Sequence, residues 1–561
     1  MIANEKIQTT INHILSLVDM RSSSAWFAVF VIAILILAVA PEPVTEQQID
    51  EQHTEERTVP DLPVPSSPPC PEGSDCAQVR TCDPTIPYTA PTLNQEWIAN
   101  ESFRIFSSPN LIDLNNDGIL DVANGMGIEE QEVGAVIALN GVNGTELWQS
   151  DASAELFATA QFKDLNQDGQ DDVILGGRSH QLLAIDGISG ETIWTFDDAN
   201  NVTNDDSIEW FQFYTGQFIP DRNGDGVEDW LTSNGGDPSK GPGEPRSNGF
   251  MMIISGATGQ ILSYAPTPDN RETYMSPIVY QPHPEMDVEI IYGTGGETFN
   301  GSLWSTSIES IESGDISNSI RLIEPKEGVE KGVMAPPVIV DITNDGILDI
   351  VAPTFDGRVV AIDGRNYSNI WTIDVRDHAF DGDSQDIESY ASPAIGYFTD
   401  DAIPDVFVHF AIGAFPDYFA STSLMIDGGT GEVLWKNDSS HNGFTSPLAA
   451  DMNGDGRDEI LMIRGGGQFF ENTGEFSFHH DIEILDSCTL SHELLIHRDG
   501  MSIGTPTLAD IDGDGVLDLI ATDTSGYSGA SCSIIRWSLG VESPDSISWG
   551  SYLGTKSDGI F

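Results

Sequence analysis

Three features predict an all-β fold, an eight-bladed β-propeller of four-stranded blades with seven blades as the alternative count. A nine-residue acidic pattern recurs along the chain, each copy runs directly into a short apolar stretch, and a Gly-containing turn motif ending in Trp lies between copies. The pattern is Asp-x-Asn/Asp/Thr-x-Asp-Gly-x-x-Asp/Glu, with intact copies beginning at Asp113, Asp164, Asp221, Asp341, Asp451 and Asp510. Degenerate copies from Gln281 and Tyr397 keep the flanking sequence and have lost the ligand pattern. The eight starts stand 51 to 60 residues apart, room for about four short strands each.

Each element follows from local sequence. The stretches after the acidic loops, such as Asp172-Val-Ile-Leu-Gly-Gly and Asp349-Ile-Val-Ala-Pro-Thr, have no helical period and read as buried strands. Between loops, Ala138–Trp148, Ala184–Trp194, Ile253–Ser263, Ala361–Trp371 and Met425–Trp435 each read as strand, Gly turn, strand. Two hairpins per repeat make a four-stranded blade. Trp97 precedes Asp113 by 16 residues, as Trp148 precedes Asp164 and Trp435 precedes Asp451, so the first strand completes a blade begun elsewhere, around Cys532 to Leu539. The tail from Trp549 is then an extra segment packed on the ring, and the unit around Gly296 to Ile323 departs from the Trp motif.

The acidic loops predict up to six Ca²⁺ sites. A hard cation takes six to eight oxygens, supplied here by side chains at positions 1, 3, 5 and 9 and a backbone carbonyl at 7, with Gly at 6 for the sharp turn. The ligand sets are Asp113, Asn115, Asp117, Ile119 and Asp121; Asp164, Asn166, Asp168, Gln170 and Asp172; and Asp221, Asn223, Asp225, Val227 and Asp229. The later loops supply Asp341, Thr343, Asp345, Ile347 and Asp349; Asp451, Asn453, Asp455, Arg457 and Glu459; and Asp510, Asp512, Asp514, Val516 and Asp518. The strand that follows, with no acidic twelfth position, excludes an EF-hand.

The acidic loop resembles the calcium motif of FG-GAP (VCBS, integrin α-type) propeller repeats, and the Trp motif resembles the repeat of pyrroloquinoline-quinone-like propellers. The resemblance covers roughly residues 95 to 561. It implies closure of the ring by the N-terminal strand, and calcium on one face with ligands bound on the other.

Calcium loops joining the first and second strands of a blade share a face with the Gly turns joining the third and fourth. The longer, variable connections occupy the opposite face. Their aromatics, Trp210, Phe211, Phe213, Tyr214, Phe380, Tyr390, Phe415, Tyr418, Phe419, Phe469 and Phe470, are candidates for contact with a protein or glycan, the alternative being that they cover neighbouring blades. An enzyme, either a quinone-dependent dehydrogenase or a calcium-bearing polysaccharide lyase, is the competing reading. It needs cations or a base on that face, where the sequence offers Lys240, Arg246, Arg376, His378, Arg464, His479 and His480, with His479-His480 beside Asp481 as the best cluster. No catalytic residues are assigned.

Residues 1–24 read as a short cytoplasmic segment. Ala25 to Ala40, sixteen uncharged residues after Lys6 and Arg21, read as a signal anchor that leaves the C-terminal bulk outside the cell; the alternative is a cleaved signal peptide. The Pro- and acid-rich stretch 41–90 reads as a disordered stalk, and 91–561 as the propeller. Five cysteines suggest one local bridge among Cys70, Cys76 and Cys82 and a Cys488–Cys532 pair. With 89 Asp and Glu against 23 Lys and Arg, a net charge of −66, the chain has no basic footprint for nucleic acid, anionic lipid or a polyanion.

Overall fold

The computed structural model describes residues 81–83, 85–128, 131–202, 210–237, 240–241, 243–378, 386–414, 417–470, 475–524 and 532–561. The expected cytoplasmic segment, signal anchor and most of the stalk lie outside the described residues. Among the described residues no helix is long and apolar enough to cross a membrane.

Eight antiparallel sheets form the expected eight blades. Blade 1 runs Asn110–Ile112, Asp121–Gly127, Gly134–Leu139 and Glu146–Ala152, here called strands A to D from the axis outward. Blade 2 repeats this order with Gln161–Lys163, Asp172–Gly176, Leu182–Ile185 and Thr192–Thr195, and blade 5 with Val338–Val340, Asp349–Pro353, Arg358–Ile362 and Asn369–Asp374. Blade 4 is the divergent unit: its C strand Leu303–Thr306 is followed by a short helix, Ile308–Glu312, in place of the tight Gly turn. In blade 7 the B and C strands Glu459–Phe470 and Glu475–Asp486 are the longest in the ring. Ring closure is as expected. Asn94–Glu101 pairs with Cys532–Glu542, Trp97 opposite Arg536, and is the D strand of blade 8.

Strand B is buried on both faces, Asp121–Gly127 and Asp172–Gly176 throughout their length, because each sheet is packed between two others. The recurring Trp closes the seam between blades. Trp97, Trp148, Trp194 and Trp371 donate their indole N–H to the carbonyls of Gly141, Gly187, Gly256 and Gly428 of the next blade, at 2.7–2.8 Å.

The tail does more than pack on the ring. Trp549 bridges to Ala449 of blade 7, Leu508 of blade 8 donates to the Gly550 carbonyl, and Ile339 of blade 5 pairs with Ile560. Gln217 of blade 3 donates to the Asp558 carbonyl, and Tyr552 meets Ser276 beside blade 4. These partners are inner strands or their approaches, so the C-terminus fills the central channel, with Trp549 and Leu553 fully buried.

The expected cysteine pairing is corrected. Cys82 is bridged to Cys488, and Cys532 is free and buried in the core cluster between blades 8 and 1. Cys70 and Cys76 lie outside the described residues. The bridge fastens the segment before the first strand to blade 7, where Asp83 donates its N–H to the Asp455 carbonyl.

Candidate metal loops and the opposite face

All six acidic loops adopt one conformation, dictated by their sequence. Positions 4 and 6 have positive φ, for example Asn116 at 59° and Gly118 at 84°, Asn344 at 55° and Gly346 at 80°; the degenerate loops have no such residue at either position. The folded-back chain lets the position-1 carboxylate accept the N–H of position 6, as Gly118 to Asp113 and Gly515 to Asp510. Position 5 accepts from position 7 in every loop, from Ile119, Gln170, Val227, Ile347, Arg457 and Val516, at 2.8–3.0 Å. Asn115, Asn166, Asn223 and Asn453 at position 3 accept from position 5. The side chains at 1, 3 and 5 are thereby turned toward one another.

Position 9 has a structural duty that spacing did not reveal. Its carboxylate is buried and accepts the position-2 N–H in all six loops, from Leu114, Leu165, Arg222, Ile342, Met452 and Ile511. In blades 1, 2 and 5 its other oxygen accepts the N–H of the C–D turn glycine, Gly141, Gly187 or Gly364. A Cβ on these glycines would fall 1.8–2.1 Å from the carbonyl of loop position 8, which is why the turn carries Gly there. Degenerate blade 6 keeps the clamp: Asp405 accepts from Phe398 and Gly428. These contacts also show that the A–B loops and C–D turns share one face.

The loop carboxylates suit a cation. Those of Asp510, Asp512 and Asp514 lie within 4.8 Å of one another, as do those of Asp455, Glu459 and Asp486. Burial pushes Glu459 up to about 9, with the charges of Asp451, Asp455 and Asp486 adding to the effect, and pushes Asp349 up to about 7. Cationic side chains reach only some loops: Arg365 pairs with Asp345 at 2.9 Å, and Arg536 with Asp512 and Asp518. Among the described residues no such ion pair touches Asp113, Asp117, Asp164, Asp168, Asp221 or Asp225. At position 7, Arg457 sends its side chain away to Asp400 and the Phe398 carbonyl, leaving only its backbone for a metal. Asp486, from the C–D turn of blade 7, joins its cluster without belonging to the nine-residue pattern.

On the opposite face the aromatics divide. Trp210, Phe211 and Phe213 are buried, the first and third packed edge-on with Phe196 in a core cluster shared by blades 2 and 3, and so cover neighbouring blades. Tyr214 packs at a steep angle against Phe157 and Tyr274. Tyr390 and Tyr418 share a 2.8 Å hydrogen bond, and Tyr418 also donates to buried Glu388. Phe419 alone among the described candidates is mostly exposed, at 52%. Phe380 and Phe415 lie outside the described residues, as do the side chains of Phe469 and Phe470.

The three arginines of this face are engaged by the protein, whereas Lys240 is exposed. Arg246 pairs with Glu272 at 3.2 Å, Arg376 caps the Asp356 carbonyl, and buried Arg464 donates to Asn437 and Ser423. His378 uses its carbonyl to hold Lys436. His480 is buried against the Gly500 carbonyl, whereas its neighbour His479 faces His441 from the preceding connection.

The FG-GAP-like repeat family model matches residues 451–521, from the acidic loop of blade 7 into strand B of blade 8. No curated protein sequence matches the chain. Among solved structures, a europium-containing methanol dehydrogenase superposes with a TM-score of 0.52 at 10% identity, covering 80% of this chain and 93% of that one. Quinohemoprotein alcohol dehydrogenase ADHIIG from Pseudomonas putida HK5 gives 0.51 at 11% identity, covering 81% and 77%. At such identities the likeness is one of fold: this chain is an eight-bladed propeller with an FG-GAP-like repeat match over residues 451–521.

Proposed function

We propose that the protein is a calcium-stabilised recognition module, held outside the cell by its N-terminal segment and presenting the face opposite the acidic loops to a protein or glycan. One observation carries this reading: six loops of the same conformation are spaced around one rim, and in two of them carboxylates lie within 4.8 Å of one another, where mutual repulsion would otherwise force them apart. Sites distributed in this way brace blades and do not assemble a single reaction centre. The axis of the ring, where a ligand could be enclosed by all blades, is filled by Trp549–Phe561. Three of the cations that a carboxylate-bearing quinone or uronic acid would require, Arg246, Arg376 and Arg464, are engaged within the protein. Recognition therefore falls to the loop surface around Phe419.

Extracellular calcium modules bind with Kd of about 0.1–1 mM, so calcium at about 10 mM adds roughly 1.4–2.7 kcal/mol per site by mass action. Thermal melting in calcium and in excess EDTA, paired with calorimetric titration of calcium, tests the reading. A large loss of melting temperature on chelation and several bound equivalents are expected. An unchanged melting curve would sink the calcium assignment, and a glycan and surface-protein binding screen on the calcium-loaded protein tests recognition separately.

A further inference from the structure

A histidine cluster stands on the face opposite the acidic loops, at the junction of blades 6 and 7. His441 belongs to the connection from strand D of blade 6 to strand A of blade 7, and His479 lies on the Glu475–Asp486 strand. Their Nε2 atoms are 3.1 Å apart, with the rings steeply inclined at 76°. Behind them Asp481, 11% exposed, holds His441 Nδ1 at 3.1 Å and His497 Nδ1 at 2.6 Å. Accepting from Nδ1 fixes the His441 proton there and leaves the Nε2 lone pair directed at His479.

The backbone is built around this meeting. Asn442 and Gly465 exchange both N–H to C=O bonds, which locks the connection onto strand B of blade 7 one residue from His441. Gly466, paired across the sheet with His479, leaves an opening: a Cβ there would stand 2.9 Å from His479 Nε2 and 3.2 Å from the His441 ring.

We propose that His441 and His479 bind a borderline divalent transition metal such as Zn²⁺ or Cu²⁺ through their Nε2 atoms, with Asp481 as the positioning residue behind His441. Two imidazole nitrogens about 2.0–2.1 Å from one metal lie roughly 2.9–3.4 Å apart at square or tetrahedral angles, the separation seen here. Carboxylate behind histidine behind metal is the usual supporting arrangement, because it sets the tautomer and raises the basicity of the ligand. Nitrogen donors exclude calcium as the occupant, so this site is chemically distinct from the acidic loops and does not depend on them. His441 is 27% exposed, which leaves the pair reachable from solvent, and the His497 ring lies beside His479 with centroids 5.2 Å apart. A bound metal would tie the blade 6–7 connection to blade 7 on the recognition face.

The test is a Zn²⁺ titration of the full chain in saturating calcium, comparing wild type with H441A/H479A and D481N, each first shown to melt as wild type does in calcium. Wild type should bind one equivalent that the double variant loses by at least about 100-fold, with D481N weakened by about 10- to 100-fold. Equal binding by wild type and the double variant overturns the proposal and leaves the pair as a hydrogen bond. Pulsed electron paramagnetic resonance of wild type with half an equivalent of Cu²⁺ needs no variant: modulation from two imidazoles is expected, and its absence also overturns the proposal.

Discussion

His409 on strand B of blade 6 shows how a single residue in the core couples stability to pH. Its Nδ1 meets Ser423 at 2.7 Å, and its other edge is packed so closely on Gly443 that a Cβ there would overlap the ring. Burial, aided by the nearby Arg464 charge, holds its pKa down to about 3 from an ordinary 6.5. The folded protein therefore refuses a proton that the unfolded chain accepts. This contribution to stability is complete above pH 6.5 and is lost progressively as pH falls toward 3. Urea denaturation at fixed calcium should show a steep loss from pH 6.5 to 4.5 in wild type and a shallower one in H409Q; identical slopes would remove His409 as the cause.

The recurring unit is a loop and a turn that hold each other. Position 9 was legible as a candidate ligand because it is acidic and correctly spaced. Its clamp on position 2 and on the glycine of the C–D turn was not, since these partners become neighbours only when strands B and C pair. Blade 6 isolates the clamp: Asp405 keeps it although its loop has lost the Asp of position 1 and the Gly of position 6. Asp121→Asn should thus destabilise by about 1–3 kcal/mol in EDTA and in calcium alike, because a buried acceptor becomes a donor. Asp117→Asn, on the exposed rim, should lower calcium affinity and shift stability in EDTA by no more than about 0.5 kcal/mol. Melting both variants with and without calcium distinguishes these outcomes; equal behaviour in EDTA would reduce position 9 to a ligand alone.

For the whole molecule, closure comes from both ends of the chain. Asn94–Glu101 completes blade 8, and the last thirteen residues plug the channel that the eight inner strands surround. Trp549 and Leu553 are buried there without contributing to any blade, and truncating a buried Trp or Leu to Ala typically costs about 2–5 kcal/mol. Deleting residues 549–561 should therefore lower the melting temperature in saturating calcium while leaving the far-ultraviolet spectrum of the strands in place. A truncated chain as stable as wild type would show that the plug is dispensable to the fold.

Blade number, loop conformation and ring closure were legible because short-range pattern governs them: the Asp-Gly loops, the strand runs and the Trp97 spacing are each set within a few residues. Pairings across large sequence distances were decided only by the folded ring. Cys82 finds Cys488 and not a neighbour in the stalk, Trp210 and Phe213 turn inward, and His441 meets His479 from the adjoining connection. Local sequence sets strand, turn and ligand geometry because backbone φ and side-chain reach are local. Which distant groups then meet depends on how eight sheets close around one axis.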